Sequence, residues 1–286
     1  MIVTSSKSDQ LRSEMEQVNV RQKHYYDHAD GGSVSSLNSL ATNLWRVLRQ
    51  RAERAISNET RQIPYDIHRE WLGDLSQKKV LELGCGTGTK LTRYLVRNAK
   101  EYHAIDLSEA QVGVLQERFG HRDNTRFFVG DFLNDPRLSD DYDVIYAHSV
   151  VHHFKHHSVL FDRLEQVCAA NGEIITLDPL QTWLPARMFR ALFRPFQTDA
   201  AWEFPFRQAE LRAIESRFEV KDRIGIFGRA KWAMAIAMVA PKWAKDRGDL
   251  WFRQDYETGY ARSNTRKCLA VSYWLTRKST SVRGEQ

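Results

Sequence analysis

The residues Glu82-Leu83-Gly84-Cys85-Gly86-Thr87-Gly88 close a short apolar run, and their types are those of a ligand-binding loop. Glycines at such a place let the backbone turn sharply and a ligand approach closely, and a helix that follows offers unpaired N–H groups to an anion. A dinucleotide loop would need its third glycine one residue later, where Thr89 stands, and Glu82 would repel a pyrophosphate. An acid beside a helix N-terminus suits instead a ligand that carries both an ammonium and a carboxylate. Asp106 lies 18 residues beyond Gly88 and ends the next apolar run, where a carboxylate can accept both hydroxyls of a ribose. Asp131 ends the run after that, where a carboxylate can accept a hydrogen bond from an adenine amino group. Taken singly, either aspartate would serve as a helix cap or turn residue; it is their order that points to a nucleoside.

Five histidines, His148, His152, His153, His156 and His157, fall within ten residues. Histidine titrates near neutral pH, so His153, His152 and His148 are the candidates for a base acting on a hydroxyl substrate, with Asp178 behind them. The pairs 152/156 and 153/157 would share a helix face, which is also metal-ligand spacing. No carboxylate intervenes, and no metal is expected.

The hydrophobic period says what positions these groups. Residues 1–78 read as helical, with Leu11, Met15 and Val18, then Leu37 to Ala55, then Ile67, Trp71, Leu72 and Leu75 at helical spacing. From Lys79 the period changes: short apolar strands near 79–83, 102–106, 125–131, 142–147 and 172–178 alternate with helices. That alternation predicts an α/β fold with a doubly wound, mostly parallel sheet buried on both faces. Beyond Asp178 come a basic amphipathic helix over 183–196, a helix over 208–217, a strand over 218–225 and a last strand over 269–276. The domain plan is therefore an N-terminal helical cap (1–78) on a Rossmann-like domain (79–286), with lid insertions at about 180–207 and 228–265.

Four features in order, Glu82 to Gly88, Asp106, Gly130-Asp131-Phe132 and Asp143-Val144-Ile145, resemble the class I S-adenosylmethionine-dependent methyltransferases, from about Val80 to Asp178. The resemblance implies S-adenosylmethionine as cofactor and a seven-stranded sheet with a final antiparallel strand. It also implies that Glu82, Gly84, Gly86 and Gly88 hold the amino-acid end of the cofactor. Asp106 and Leu107 would then hold the ribose and flank the adenine, and Asp131 and Phe132 would complete the adenine pocket. Tyr25-Tyr26-Asp27 is similar to a motif that many small-molecule members place before the first strand, which gives Tyr26 a role in closing over the cofactor. Ser149-Val150-Val151-His152-His153-Phe154 resembles the stretch with adjacent histidines in those members. The expected reaction is methylation of a small or lipid-like acceptor, O-methylation ahead of N- or C-methylation. A nicotinamide-dependent oxidoreductase and a non-catalytic cofactor-binding protein are the competing classes.

Composition narrows the partners. Three cysteines, no disulfide framework and no apolar run long enough to span a bilayer are expected of a cytoplasmic protein without a signal peptide. Residues 79–180 carry 11 basic against 15 acidic side chains, whereas 181–286 carry 20 against 11, so an anionic partner belongs with the last third. Arg187, Arg190 and Arg194 share one face of the 183–196 helix, opposite Met188, Phe189 and Leu192, a pattern for a lid or a peripheral membrane contact. Nucleic acid is not expected as a partner, since no basic groove or appended RNA-binding module is evident; a homo-oligomer stays open.

Overall fold

The computed structural model of the protein describes residues 7–27, 39–194 and 202–278; the end of the expected 183–196 helix lies outside them. Seven strands form one sheet in the order β3-β2-β1-β4-β5-β7-β6. They are β1 (Lys79–Leu83), β2 (Glu101–Asp106), β3 (Thr125–Val129), β4 (Tyr142–His148), β5 (Cys168–Pro179), β6 (Phe218–Ile226) and β7 (Ala270–Arg277). The first five pair in parallel, and β7 runs antiparallel to both β5 and β6. The fold class is thus α/β and doubly wound, with the strand order reversing between β1 and β4. In such sheets the crevice beyond the carboxyl ends at the reversal is where ligands sit.

Strand parity divides the core. In β1, Leu81 and Leu83 face a cluster built with Met15, Phe161, Leu164, Leu211 and Ile214, while Val80 faces another built with Trp71, Leu95, Leu115 and Tyr146. The first layer comes from α1 (Lys7–Asp27), α6 (His157–Val167) and α8 (Gln208–Arg217), the second from α3 (Ile63–Leu72), α4 (Thr92–Asn98) and α5 (Glu109–Phe119). Both faces of the central strands are therefore dry, which is why they read as continuous apolar runs.

The added helices are α2 (Ser39–Glu53), α7 (Leu184–Phe193), α9 (Ala230–Val239), α10 (Pro241–Glu257) and α11 (Tyr260–Ser263). The N-terminal helices do not stay together. α1 lies on α5 and α6 and α2 pairs with α9, while α3 packs on the sheet, where Trp71 stacks on Trp274 of β7 at 6.0 Å. No described helix is long and apolar enough to cross a membrane.

Candidate active site

Period-two alternation decides the role of Glu82. It is still within β1, so its side chain shares the face of Val80 and points under α4 instead of into the loop. There its Oε1 accepts from the Thr89 and Thr92 hydroxyls at 2.9 and 2.8 Å, and its Oε2 from the Tyr102 hydroxyl at 2.5 Å. The residue is fully buried, and burial raises its pKa against these three donors. The expected grip on an ammonium is corrected: Glu82 ties the glycine turn to α4 and β2 from beneath. Above it, Gly84 has φ +63°, and a Cβ there would stand 2.2 Å from Val150 Cγ2, so no other residue fits.

Asp106 ends β2 and is held by two backbone donors, Gly86 N–H to Oδ2 at 2.9 Å and Ser108 N–H to Oδ1 at 3.0 Å. Burial raises its pKa although those bonds oppose the rise. A carboxylate offers about four lone-pair sites, so acceptor capacity remains. Asp106 lines a cleft with Gly84, Leu107, Asp131 and Phe132, and from α1 come Asn19 and Gln22. Asp131 also performs the turn role: its Oδ1 accepts from Leu133 N–H at 3.1 Å and its Oδ2 from the Asn134 amide at 3.0 Å. Asp27 of α1 accepts the Ser108 hydroxyl at 2.6 Å, which fastens α1 beside this cleft. Gly86, Gly88 and Tyr26 do not line the cleft; Tyr26 packs instead edge-on against His153 with ring centroids 6.3 Å apart.

The histidine cluster separates into distinct environments. His148 ends β4 on the α3 side, where its Nε2 shares a hydrogen bond with the Tyr65 hydroxyl at 2.9 Å and burial lowers its pKa to about 4. His152 and His153 sit in a single 3-10 turn (Val151–His153), and the chain is extended at Phe154 before α6 begins at His157. The expected shared helix faces 152/156 and 153/157 therefore do not form; His156 turns to Glu14 at 3.1 Å.

His152 Nδ1–H donates to Asp178 Oδ1 at 2.8 Å, and its Nε2 lies 3.5 Å from Glu203. Burial alone would lower the His152 pKa, but the two carboxylates outweigh it and lift it to about 9, so this ring is an imidazolium at neutral pH. His153 is the opposite case. Burial, with the charged His152 beside it, lowers its pKa to about 4. Its Nδ1 is 3.1 Å from the Trp202 carbonyl, which can only accept, so the proton resides on Nδ1 and Nε2 keeps a lone pair. His153 also lines the cofactor cleft with Val150 and Phe154. Of the three expected bases, only His153 combines neutrality with access to the cleft. Glu203, Trp202 and Tyr65 come from distant segments, and nothing in their local sequence marks them. With Glu203 the adjacent histidines make a group whose ligand atoms lie within 4.8 Å of one another, a carboxylate that the spacing around His152 did not supply.

A family model described as a methyltransferase domain matches residues 48–224. The chain belongs to this family, the class I S-adenosylmethionine-dependent methyltransferases. Among relatives of this methyltransferase, a candidate phthiotriol/phenolphthiotriol dimycocerosates methyltransferase 2 of Mycobacterium ulcerans is 29% identical over 147 residues, 50% of this chain and 50% of that protein. A sterol 24-C-methyltransferase of Gibberella zeae is 24% identical over 123 residues, 42% of this chain and 31% of that one. The matches thus span half or less of these curated relatives. Of solved structures, a candidate S-adenosylmethionine-dependent methyltransferase from Listeria monocytogenes shares the fold with a TM-score of 0.51 at 15% identity, covering 75% of this chain and 96% of that one.

S-adenosylmethionine is the cofactor of the domain. The residues present fit it: Asp106 retains acceptor capacity for a ribose, Leu107 and Phe132 give apolar cover for a purine, and the loop at Gly84 leaves no room for a side chain.

Proposed function

We propose that the protein transfers a methyl group from S-adenosylmethionine to an oxygen of a small or lipid-like acceptor. When bound, the cofactor supplies an electrophilic methyl on a sulfonium; what the chain adds is alignment and a place for the acceptor's proton. The observation that carries the reading is His153, a neutral imidazole with Nε2 available at the wall of the cleft. Its tautomer is set by the Trp202 carbonyl, and the imidazolium of His152, fixed by Asp178 and Glu203, keeps its neighbour unprotonated. A base so placed can take a hydroxyl proton as the oxygen attacks. A lipid-like acceptor is supported by the names of the mycobacterial and sterol relatives.

The test is incubation with the cofactor labelled in its methyl carbon, a lipid and metabolite extract, and carbon NMR of the product. A methoxyl carbon is expected. A methyl on carbon would transfer the reading to C-methylation, which the sterol relative's name favours, and no incorporation with any extract would leave a binding protein.

Peripheral membrane contact is a second, compatible reading, and it rests on the outer helices. Leu192 of α7 is 66% exposed, Val239 of α9 83% and Trp243 of α10 71%. α2, α7, α9 and α10 together carry ten Lys or Arg against five Asp or Glu, which suits an anionic surface. Co-sedimentation with phosphatidylglycerol vesicles is expected and should be lost in Leu192→Asp/Trp243→Asp; equal pelleting of the two proteins would remove the reading.

A further inference from the structure

A second cavity, open and about 730 Å3 in volume, adjoins the histidine pair. One wall is α7, which presents Arg187, Arg190 and Arg194 to it together with Leu184, Met188 and Ala191. The expectation that the arginines and Met188 lie on opposite faces is thereby corrected: cationic and apolar side chains share this wall. Across from it stand Lys155 and the segment Glu203 to Pro205, with Arg207 and Glu210 beyond.

The charges do not cancel. Five Lys or Arg side chains line the cavity against two carboxylates, Glu203 and Glu210; Glu203 faces His152 and Arg190, and Glu14 of α1 bonds both Lys155 at 2.6 Å and His156 at 3.1 Å. The lining thus keeps an excess of basic over acidic side chains.

The cofactor cleft and this cavity are linked through the His152–His153 turn and the 202–206 segment bonded to it. Phe204 N–H donates to the His152 carbonyl at 2.8 Å, and Trp202 holds His153. His153 lines the cleft, whereas Glu203, next to it through His152, lines the cavity. A molecule seated in the cavity would have its inner end at the candidate base.

We infer that this cavity is the acceptor's seat and that the acceptor is an amphiphilic anion, with a carboxylate or phosphate on the α7 arginines and an apolar body along Leu184 and Met188. The placement of its reacting end rests on the methyl-transfer reading above; its chemical class rests on the cavity alone. Guanidinium forks bind such oxyanions in bidentate fashion, and charged heads beside apolar side chains are what an amphiphile needs.

Calorimetry on the full chain tests this without any turnover, using decyl phosphate below its micelle concentration, inorganic phosphate and the neutral decyl glucoside. Decyl phosphate is expected to bind at least about tenfold more tightly than either of the others. Arg187→Gln/Arg194→Gln, both at exposed positions, should weaken decyl phosphate about tenfold or more while S-adenosylhomocysteine affinity and the melting temperature stay unchanged. Glucoside binding as strong as the phosphate amphiphile, inorganic phosphate binding as strong as decyl phosphate, or an unchanged double variant each overturns the inference. Absence of S-adenosylhomocysteine binding with decyl phosphate intact would instead sink the methyl-transfer reading and leave the cavity's chemistry standing.

Discussion

Three titratable groups in this protein, Glu82, His152 and His153, have roles set by their surroundings and not by their type. Glu82, with three hydroxyl donors, is structural: Glu82→Gln turns one acceptor into a donor facing donors, at a cost of about 2–3 kcal/mol. Its melting temperature should fall, and cofactor affinity should fall with it; lost affinity at an unchanged melting temperature would restore the direct grip. His152 and His153 are adjacent, yet the first is charged and the second neutral, because only the former has carboxylates bonded to its ring. His153→Ala should therefore lower kcat by about 10²–10⁴-fold and be partly rescued by added imidazole. A packing role for His153 would give no rescue.

At the scale of elements, the glycine turn depends on Val150, which lies across Gly84 and narrows the cleft to about 40 Å3. That is room for about three water molecules. Gly84→Ala would bring a Cβ into Val150 and impose a left-handed φ on alanine, so cofactor binding should vanish in calorimetry. Val150→Ala should do the reverse and tighten S-adenosylhomocysteine a few-fold, because less must move aside. The sheet was legible in the sequence because its strands are dry on both faces and separated by helices; β1 over 79–83 and α8 over 208–217 stand where the period puts them. The acids at strand ends were legible as types, but not their direction. Glu82 fell on the wrong side of a period-two boundary, since the strand runs one residue beyond it. The histidine segment was misread as one helix because nothing in Phe154 to His156 announces the extended backbone there. Glu203 and Trp202 could not be found at all, being some fifty residues from the histidines they hold.

For the molecule as a whole, buried histidines set the pH range of stability. His68, between Tyr146 and Ser272, is lowered by burial to about 3, and His148 and His153 to about 4, from 6.5. The unfolded chain takes up these protons first, so stability falls as pH drops below 6.5 toward 4, by about 1.4 kcal/mol per unit for each group. His152 acts in the other direction: its contribution is complete below 6.5 and is lost as pH rises through about 9. Melting temperature should peak near neutrality, and His152→Gln should flatten the alkaline limb; an unchanged limb would show that the ring is neutral when folded. The outer wall of the second cavity has one further consequence. Its excursion leaves and rejoins the sheet at a single seam, where Phe206 N–H meets the Pro179 carbonyl, Gln181 N–H meets the Phe206 carbonyl and Leu180 N–H meets the Leu269 carbonyl. Leu180, Gln181 and Phe206 thus mark fixed points at which a replacement cassette could be joined. Exchanging its 182–201 part between relatives should redirect chemical preference, provided that Trp202 and Glu203, which hold the histidine pair, are kept.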